Sequence, residues 1–137
     1  MSAAHTYGAN VQWQRAANEI FTDQRYSRRH ELRFDGGAVV AASSAASSVP
    51  LPWSDPGAID PEEMLVAAVA SCHMLWFLSL AAKAGHVVDG YSDAAVGVMT
   101  KNADGKPWVS LVTLRPKVRF AEGRSPTAEA LDALHQK

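Results

Sequence analysis

Apolar and polar positions alternate with a period of two in the first part of the chain. The alternation is centred on Val11 and returns over residues 26–34. Because successive side chains of a strand point to opposite faces, this pattern predicts two strands. Gly36 and Gly37 follow, a pair typical of a tight turn, and residues 38–42 are expected to return as the second strand of a hairpin.

A long apolar run that begins after residue 60 is the strongest pattern in the sequence. Asp60 is a good N-cap, Pro61 suits the first helical position, and Glu63 completes a capping box. Nearly every later side chain is apolar or small until Gly85, which supplies a stop. The pattern predicts a helix over residues 61–84 that is apolar around its whole circumference.

A helix this long and apolar has the length of a membrane span. Ser71, Cys72, His73 and Ser79 interrupt it and no second span follows, so we expect a soluble protein with no membrane partner. In water, a helix without a polar face must be covered on every side, and one chain of 137 residues supplies little cover. We therefore expect a second copy of the chain to cover it, in a homodimer.

The last part of the chain is predicted to add strands and a second helix. Residues 91–100 and 108–120 are predicted to be strands, joined in a hairpin by the polar turn 102–105. Ser125 is expected to cap a final helix whose apolar positions recur every three residues up to Lys137.

Composition narrows the class of protein. With 47% hydrophobic and 20% charged residues, the chain has enough apolar matter for one core, which excludes disorder. A net charge of -1 leaves no basic excess to bind nucleic acid or an anionic membrane surface. One cysteine and no secretory signal pattern favour a cytoplasmic protein, and the five histidines lack the spacing of metal ligands.

The single cysteine, Cys72, lies too deep in the predicted helix for the N-terminal helix dipole to activate it, so any activation must come from a side chain. Its helix face also carries Val69, Leu75 and Trp76, and one interpretation is therefore an inert, buried thiol. His73 is poorly placed to deprotonate the thiol of its own chain, because helix neighbours point about 100° apart. This argues against a cysteine hydrolase.

Two charged residues are candidates for a site. Alternation places Arg28 beside Tyr26 on the inward strand face and Arg29 on the solvent face. A guanidinium among apolar neighbours requires an anion, either a thiolate or a carboxylate in a structural ion pair. Glu62 either complements the helix N-terminus or holds an arginine across a subunit interface, since about 15 Å of helix separates it from Cys72.

Four motifs carry a resemblance to a known family: Tyr26-Ser27-Arg28-Arg29-His30, Phe34-Asp35-Gly36-Gly37, Asp60-Pro61-Glu62-Glu63 and Ala70-Ser71-Cys72-His73-Met74-Leu75. Together they resemble the OsmC/Ohr family of bacterial thiol-dependent peroxidases, in its OsmC-like branch. The resemblance implies an α+β, OsmC-like fold. In that fold antiparallel sheets pack around a long central helix in an intertwined homodimer, with the active sites at the subunit interface.

The resemblance also implies an activity. Cys72 matches the peroxide-attacking cysteine, Glu62 the motif glutamate and Arg28 the arginine that contacts the thiolate, while the apolar face of Trp76, Val69 and Leu75 suits organic hydroperoxides. The implied function is a peroxidase for organic hydroperoxides, and hydrogen peroxide as a further substrate, in oxidative-stress defence. No cofactor or metal is expected, and the reductant is a dithiol such as a dihydrolipoyl protein.

One departure from the family pattern leaves an alternative open. The family usually has a resolving cysteine just after the last helix, and the sequence ends before that position, so either the chain is truncated or the protein lacks the disulfide step. We therefore expect residues 1–137 to form a single OsmC-like domain that lacks the resolving-cysteine segment. The alternative function is a non-catalytic protein that binds a small molecule or lipid on the same dimeric scaffold, with Cys72 inert.

Overall fold

A computed structural model gives the structure of the chain for residues 3–136. Within these residues the chain is α+β, with small antiparallel sheets and two helices. In chain order the elements are β1 (Asn10–Gln12), β2 (His30–Arg33), β3 (Val39–Ala42), α1 (Pro61–Lys83), β4 (Val88–Asp93), β5 (Val96–Lys101), β6 (Pro107–Thr113), β7 (Pro116–Phe120) and α2 (Ala128–Gln136). The chain divides between Met64 and Leu65 into two compact units. The expectation of a single domain stays a prediction.

The first unit holds a three-stranded antiparallel sheet in the order β1-β2-β3. Leu32 at its centre lies opposite Val11 on β1 and Val40 on β3. The predicted hairpin is confirmed, and Gly37 at its turn has a φ of 99°, a conformation that favours glycine. The second strand is shorter than the predicted run over residues 26–34, because Arg28 N–H donates outside the sheet, to Trp53 O at 2.8 Å.

Helix α1 confirms both the predicted start and the predicted stop. Glu63 N donates to Asp60 Oδ1 at 2.8 Å and Asp60 N donates to Glu63 Oε1 at 3.2 Å, which is a complete capping box. Burial raises the pKa of Asp60, but the hydrogen bonds with Glu63 and then with Glu62 outweigh it and hold this pKa below its ordinary value of 3.8. At the other end Gly85 has a φ of 87°, and His86 N donates to Ala81 O at 3.0 Å.

The length and apolar composition of α1 would allow it to cross a membrane, and it is the one helix within residues 3–136 of which this is true. Core helices of soluble proteins share these properties.

The second unit corrects the two predicted strands over residues 91–100 and 108–120. Each is divided in two, so that β4 pairs with β7 and β5 pairs with β6. At the break Arg115 N donates to Asp93 Oδ1 at 2.7 Å, and a side chain therefore takes the hydrogen bond that a neighbouring strand would have accepted. The hairpin around residues 102–105 is confirmed, with Gly105 N donating to Asn102 O at 2.9 Å.

Helix α2 begins later than predicted. Thr127, not Ser125, is its cap, because Thr127 Oγ1 accepts from Ala130 N at 3.2 Å and Thr127 O accepts from Leu131 N at 2.9 Å. The predicted end at Lys137 lies outside the described residues.

The core of the second unit forms where α2 meets α1. Phe77 and Ala81 on α1 and Leu134 on α2 are its buried residues. Partly buried side chains from both helices and from β4 and β7 pack around them: Leu78, Leu80, Val88, Tyr91, Val118, Phe120 and Leu131.

Candidate functional site

Cys72 lies on the exposed side of α1. Its thiol is free and the residue is exposed, so the chain by itself does not bury it as an inert core thiol would be buried. The large apolar side chains of the same face are also exposed, with Val69 at 38%, Leu75 at 60% and Trp76 at 62%. The structure therefore brings four of the sequence-predicted site residues onto one apolar surface, which we call the Cys72 face.

His73 is engaged elsewhere. Its Nε2 lies 2.9 Å from His135 Nδ1 on α2, and both side chains are half-buried in the second unit. This agrees with the expectation that His73 does not serve Cys72 as a base.

Arg28 lies half-buried in the first unit and is surrounded by neutral groups. Its guanidinium carbon is 3.6 Å from the centre of the Tyr26 ring, a cation–π contact. Its Nη1 donates to Tyr26 O at 2.6 Å and to Gln24 O at 2.9 Å. Within residues 3–136 no carboxylate forms an ion pair with it. The structural ion pair that the strand pattern left open is thus not formed in the chain, and the positive charge is uncompensated.

An apolar cavity of about 450 Å³ lies beside Arg28 in the first unit. Its lining includes three aromatic rings whose centres are 4.6 to 5.9 Å apart, namely Trp13, Phe21 and Tyr26. The remaining lining residues are Val11, Arg28, His30, Ser43, Ser44 and Pro61.

Sequence reasoning did not find the aromatic part of this cavity. Phe21 joins it because the backbone turns back on itself, with φ of 78° at Phe21 and 65° at Gln24. Positive φ is uncommon for residues other than glycine, and no local sequence pattern predicts it here. The available signal was the number of aromatic residues between positions 13 and 26.

Glu62 occupies the first turn of α1, as predicted, but its side chain is incompletely paired. Its Oε2 is buried and has no hydrogen-bond partner among the described residues. It forms no ion pair with Arg28 of the same chain. A buried carboxylate oxygen without a donor is costly. Helix α1 is unbroken between Glu62 and Cys72, which corresponds to about 15 Å.

The described residues contain no group of three or more His, Cys, Asp and Glu side chains arranged to hold a metal ion. The chemistry that this chain presents is therefore that of an exposed thiol on an apolar surface, an arginine without an anionic partner and an incompletely paired carboxylate.

Comparison with known proteins gives the class to which this arrangement belongs. The sequence model of the OsmC-like protein family matches residues 54–137. The fold is similar to the solved structure of an OsmC-like protein of unknown function from Vibrio cholerae O1 biovar eltor, with a TM-score of 0.94. The two sequences are 46% identical, and the match covers 97% of this chain and 86% of the other. Comparison with curated proteins gives no match.

The chain belongs to the OsmC family, as its motifs indicated. The α+β architecture and the small antiparallel sheets are those of the OsmC-like fold, which is a soluble fold. The roles of Cys72, Arg28 and Glu62, and the homodimer, stay predictions.

Proposed function

We propose that this chain is a thiol-dependent peroxidase that reduces organic hydroperoxides, with Cys72 as the catalytic residue. The observation that carries the proposal is the exposure of Cys72, the one cysteine of an OsmC-family chain, on an apolar helix surface. Reactive cysteines are accessible, whereas structural cysteines are buried, so a homodimer that covers the rest of this face has to leave the thiol open to the substrate.

The reaction oxidises the thiol and reduces the peroxide. The Cys72 thiolate attacks the distal peroxide oxygen, the O–O bond breaks, and an alcohol leaves after taking up a proton. Cys72 becomes a sulfenic acid. One thiol of an external dithiol then attacks the sulfenic sulfur and releases water, and its second thiol displaces Cys72 as the free thiol. The dithiol leaves as a disulfide, which balances the two electrons delivered to the peroxide.

Arg28 is proposed to stabilise the thiolate and to orient the peroxide, and Glu62 to position Arg28 across the interface of a homodimer. Both assignments are supported by the incomplete hydrogen bonding of these side chains within the described chain. Arg28 has only neutral acceptors, and Glu62 Oε2 has no donor within the described chain. Pairing between two chains requires the Glu62 side chain to turn outward, because its own chain covers Oε2 in the single chain.

The substrate is proposed to be an organic hydroperoxide in preference to hydrogen peroxide. Val69, Leu75 and Trp76 present exposed apolar surface next to the thiol. Apolar surface favours a substrate with a hydrocarbon part, because covering that surface removes it from water. We place the activity in oxidative-stress defence in the cytoplasm, with a dihydrolipoyl protein or a similar dithiol as reductant.

Trapping of the oxidised cysteine tests the proposal. Stoichiometric cumene hydroperoxide, added with a sulfenic-acid reagent, is expected to give an adduct on the Cys72 peptide, and Cys72→Ser is expected to abolish the adduct without unfolding the protein. With excess peroxide and no reductant, mass spectrometry should find two added oxygens on that peptide. In a separate sample that contains a dithiol from the start, the sulfenic acid should be reduced before it is oxidised further, and peroxide consumption should continue over many turnovers.

A relocated thiol supplies the matched control. In the double variant Cys72→Ser, Ser79→Cys, the thiol moves two turns along the same exposed face of α1. If Cys72 owes its reactivity to its site, it should react roughly a hundredfold faster than the relocated thiol. Equal rates would show generic thiol chemistry. An unmodified Cys72 after prolonged exposure would favour a binding protein, for which the aromatic-lined cavity of about 450 Å³ offers a site.

A further inference from the structure

Two histidines join the two helices of the second unit. His73 Nε2 on α1 and His135 Nδ1 on α2 lie 2.9 Å apart, and their rings are nearly parallel, at 12°. The His135 ring also stacks on Phe77, with 4.2 Å between ring centres. Phe77 is only 1% exposed, so the histidine pair is built onto the most buried part of the α1–α2 contact.

The hydrogen bond between these rings limits how many protons the pair can hold. One nitrogen must carry the hydrogen and the other must accept it through a lone pair. A neutral pair satisfies this requirement, and so does a pair with one positive charge. When both rings are protonated, both nitrogens are donors, the hydrogen bond is lost, and two positive charges face each other at short distance.

The groups around His135 determine the pH at which its ring becomes protonated. The ionisable groups that act on it are His73 on α1, Asp93 on β4 and Asp132 on α2 itself, and Tyr91 on β4 packs against the neighbouring Phe77. From β7 the core receives the apolar side chains Val118 and Phe120. Burial, followed by the charge of Asp93, raises the pKa of Tyr91, which is therefore neutral near pH 7.

We propose that the His73–His135 pair is an acid-sensitive clamp, which fixes α2 on α1 at neutral pH and releases α2 when both rings are protonated. The clamp does not depend on the proposed peroxidase activity. The clamp responds to protonation. The element it releases is α2, a nine-residue helix that contributes one buried residue, Leu134, to the core.

The direction of the pH effect follows from linkage. Burial and then the charge of His73 lower the pKa of His135, against the opposing effect of Asp132 and Asp93. The unfolded chain, whose histidines titrate near pH 6.5, therefore binds more protons than the folded chain just below that pH. The contribution of His135 to stability is complete above about pH 6.5 and is lost as the pH falls through the lower, folded pKa.

Hydrogen exchange of the α2 amides at pH 7.5 and 5.5, corrected for intrinsic rates, tests the clamp. In the wild-type chain we expect the protection of residues 128–136 to fall about tenfold or more on acidification, while the β5–β6 hairpin keeps its protection. Unchanged protection of α2 in the wild-type chain would overturn the proposal.

Glutamine variants test whether the loss of α2 protection in acid depends on the His73–His135 pair. His73→Gln and His135→Gln keep a hydrogen-bonding side chain that does not titrate, so the pH-dependent loss should shrink to less than about twofold. His86→Gln is the matched control, since His86 is a half-buried histidine that packs against Phe120, and it should retain the wild-type loss. Glutamine variants that show the full wild-type loss would contradict the clamp.

A measurement on the wild-type chain keeps the test valid if a glutamine variant fails to fold. The ring protons of His135, followed by NMR, should titrate below pH 6.5, and the α2 signals should broaden over the same pH range. Titration of His135 with the α2 signals undisturbed would exclude the clamp.

Discussion

Arg28 holds a positive charge in a setting that supplies carbonyl oxygens and an aromatic face but no carboxylate. If this charge stabilises the Cys72 thiolate, Arg28→Ala should slow the reaction of Cys72 with cumene hydroperoxide by roughly a hundredfold. Arg28→Lys should restore only part of the rate, because lysine keeps the charge and loses the planar fork. Stopped-flow measurement of sulfenic acid formation gives these rates.

Arg29→Ala is the control for this prediction. Arg29 lies next in the sequence, just before β2, and its exposed side chain pairs with Asp55. A surface ion pair contributes little to stability, so its loss should leave both the fold and the reaction rate nearly unchanged. Equal slowing in the alanine variants of Arg28 and Arg29 would contradict the assignment of the two strand faces.

At this scale, side-chain direction was predictable and side-chain partners were not. Alternation predicted Arg28 inward and Arg29 outward, and Arg28 is half-buried and Arg29 exposed, although both residues precede β2. The partners of Arg28 depend on a loop that positive φ at Phe21 and Gln24 folds back. Such a path is set by contacts distant in sequence, and a local pattern does not contain it.

Among the elements, strand β5 lies very close to the start of α1. A Cβ atom added at Gly97 would lie 2.5 Å from Val66 Cγ2 and 3.6 Å from Val109 Cγ1. Valine is stiff at χ1 and moves aside poorly. Gly97→Ala should therefore lower the free energy of unfolding by about 1–3 kcal/mol, as measured by urea denaturation.

Gly36→Ala provides the comparison. Nothing lies within 4 Å of the Cβ position at Gly36, which sits in the β2–β3 turn without the positive φ of Gly37. The substitution should change the free energy of unfolding by less than about 0.5 kcal/mol. If both alanine variants unfold at the same urea concentration, the close approach of β5 to α1 is wrong.

The predicted elements agree best with the structure where local chemistry determines their ends. The capping box of α1 depends only on residues 60–63, and the structure confirms it. The division of the last strands depends on which strand pairs with which, and on Asp93 accepting from Arg115 N. Ser125 and Thr127 are both good caps by type, so the sequence did not distinguish them.

For the whole molecule, the Cys72 face raises the question of what covers it. Leu75 and Trp76 are each about 60% exposed in the single chain, on a helix whose other large residues include buried Phe77. We expect a homodimer, with twice the 14.7 kDa chain mass in light scattering at micromolar concentration. A stable folded monomer would refute this prediction.

A charge on the Cys72 face locates the interface. Trp76→Asp places a carboxylate in an apolar surface, so it should shift the mass towards that of one chain. Tyr7→Asp is the matched control, since Tyr7 is a large side chain that is 93% exposed and lies outside α1. Loss of the dimer in both variants, or in neither, would place the interface elsewhere.

The family was predictable because its motifs are local and specific, and the match over residues 54–137 confirms it. The division into two compact units was not predicted, since it depends on contacts between distant segments. The site residues named from the sequence lie on the Cys72 face, beside the aromatic-lined cavity and in the first turn of α1. In the proposed homodimer, residues from both chains bring these three places together into one site.

The pairing of the last four strands sets an order of assembly. β5 and β6 pair around a turn in which Asn102 Oδ1 accepts from Asp104 N at 2.9 Å and Lys106 N at 3.0 Å, and β4 pairs with β7 outside them. If the outer pair formed first, it would have to close the whole loop over residues 94–115, at a larger cost in chain entropy. Once β5 and β6 have paired, only the short connections 94–95 and 114–115 separate β4 from β7. We therefore expect pairing to begin near Asn102 and to proceed outward to β4 and β7. A defect in that turn therefore slows the meeting of β4 with β7, two strands that lie outside it.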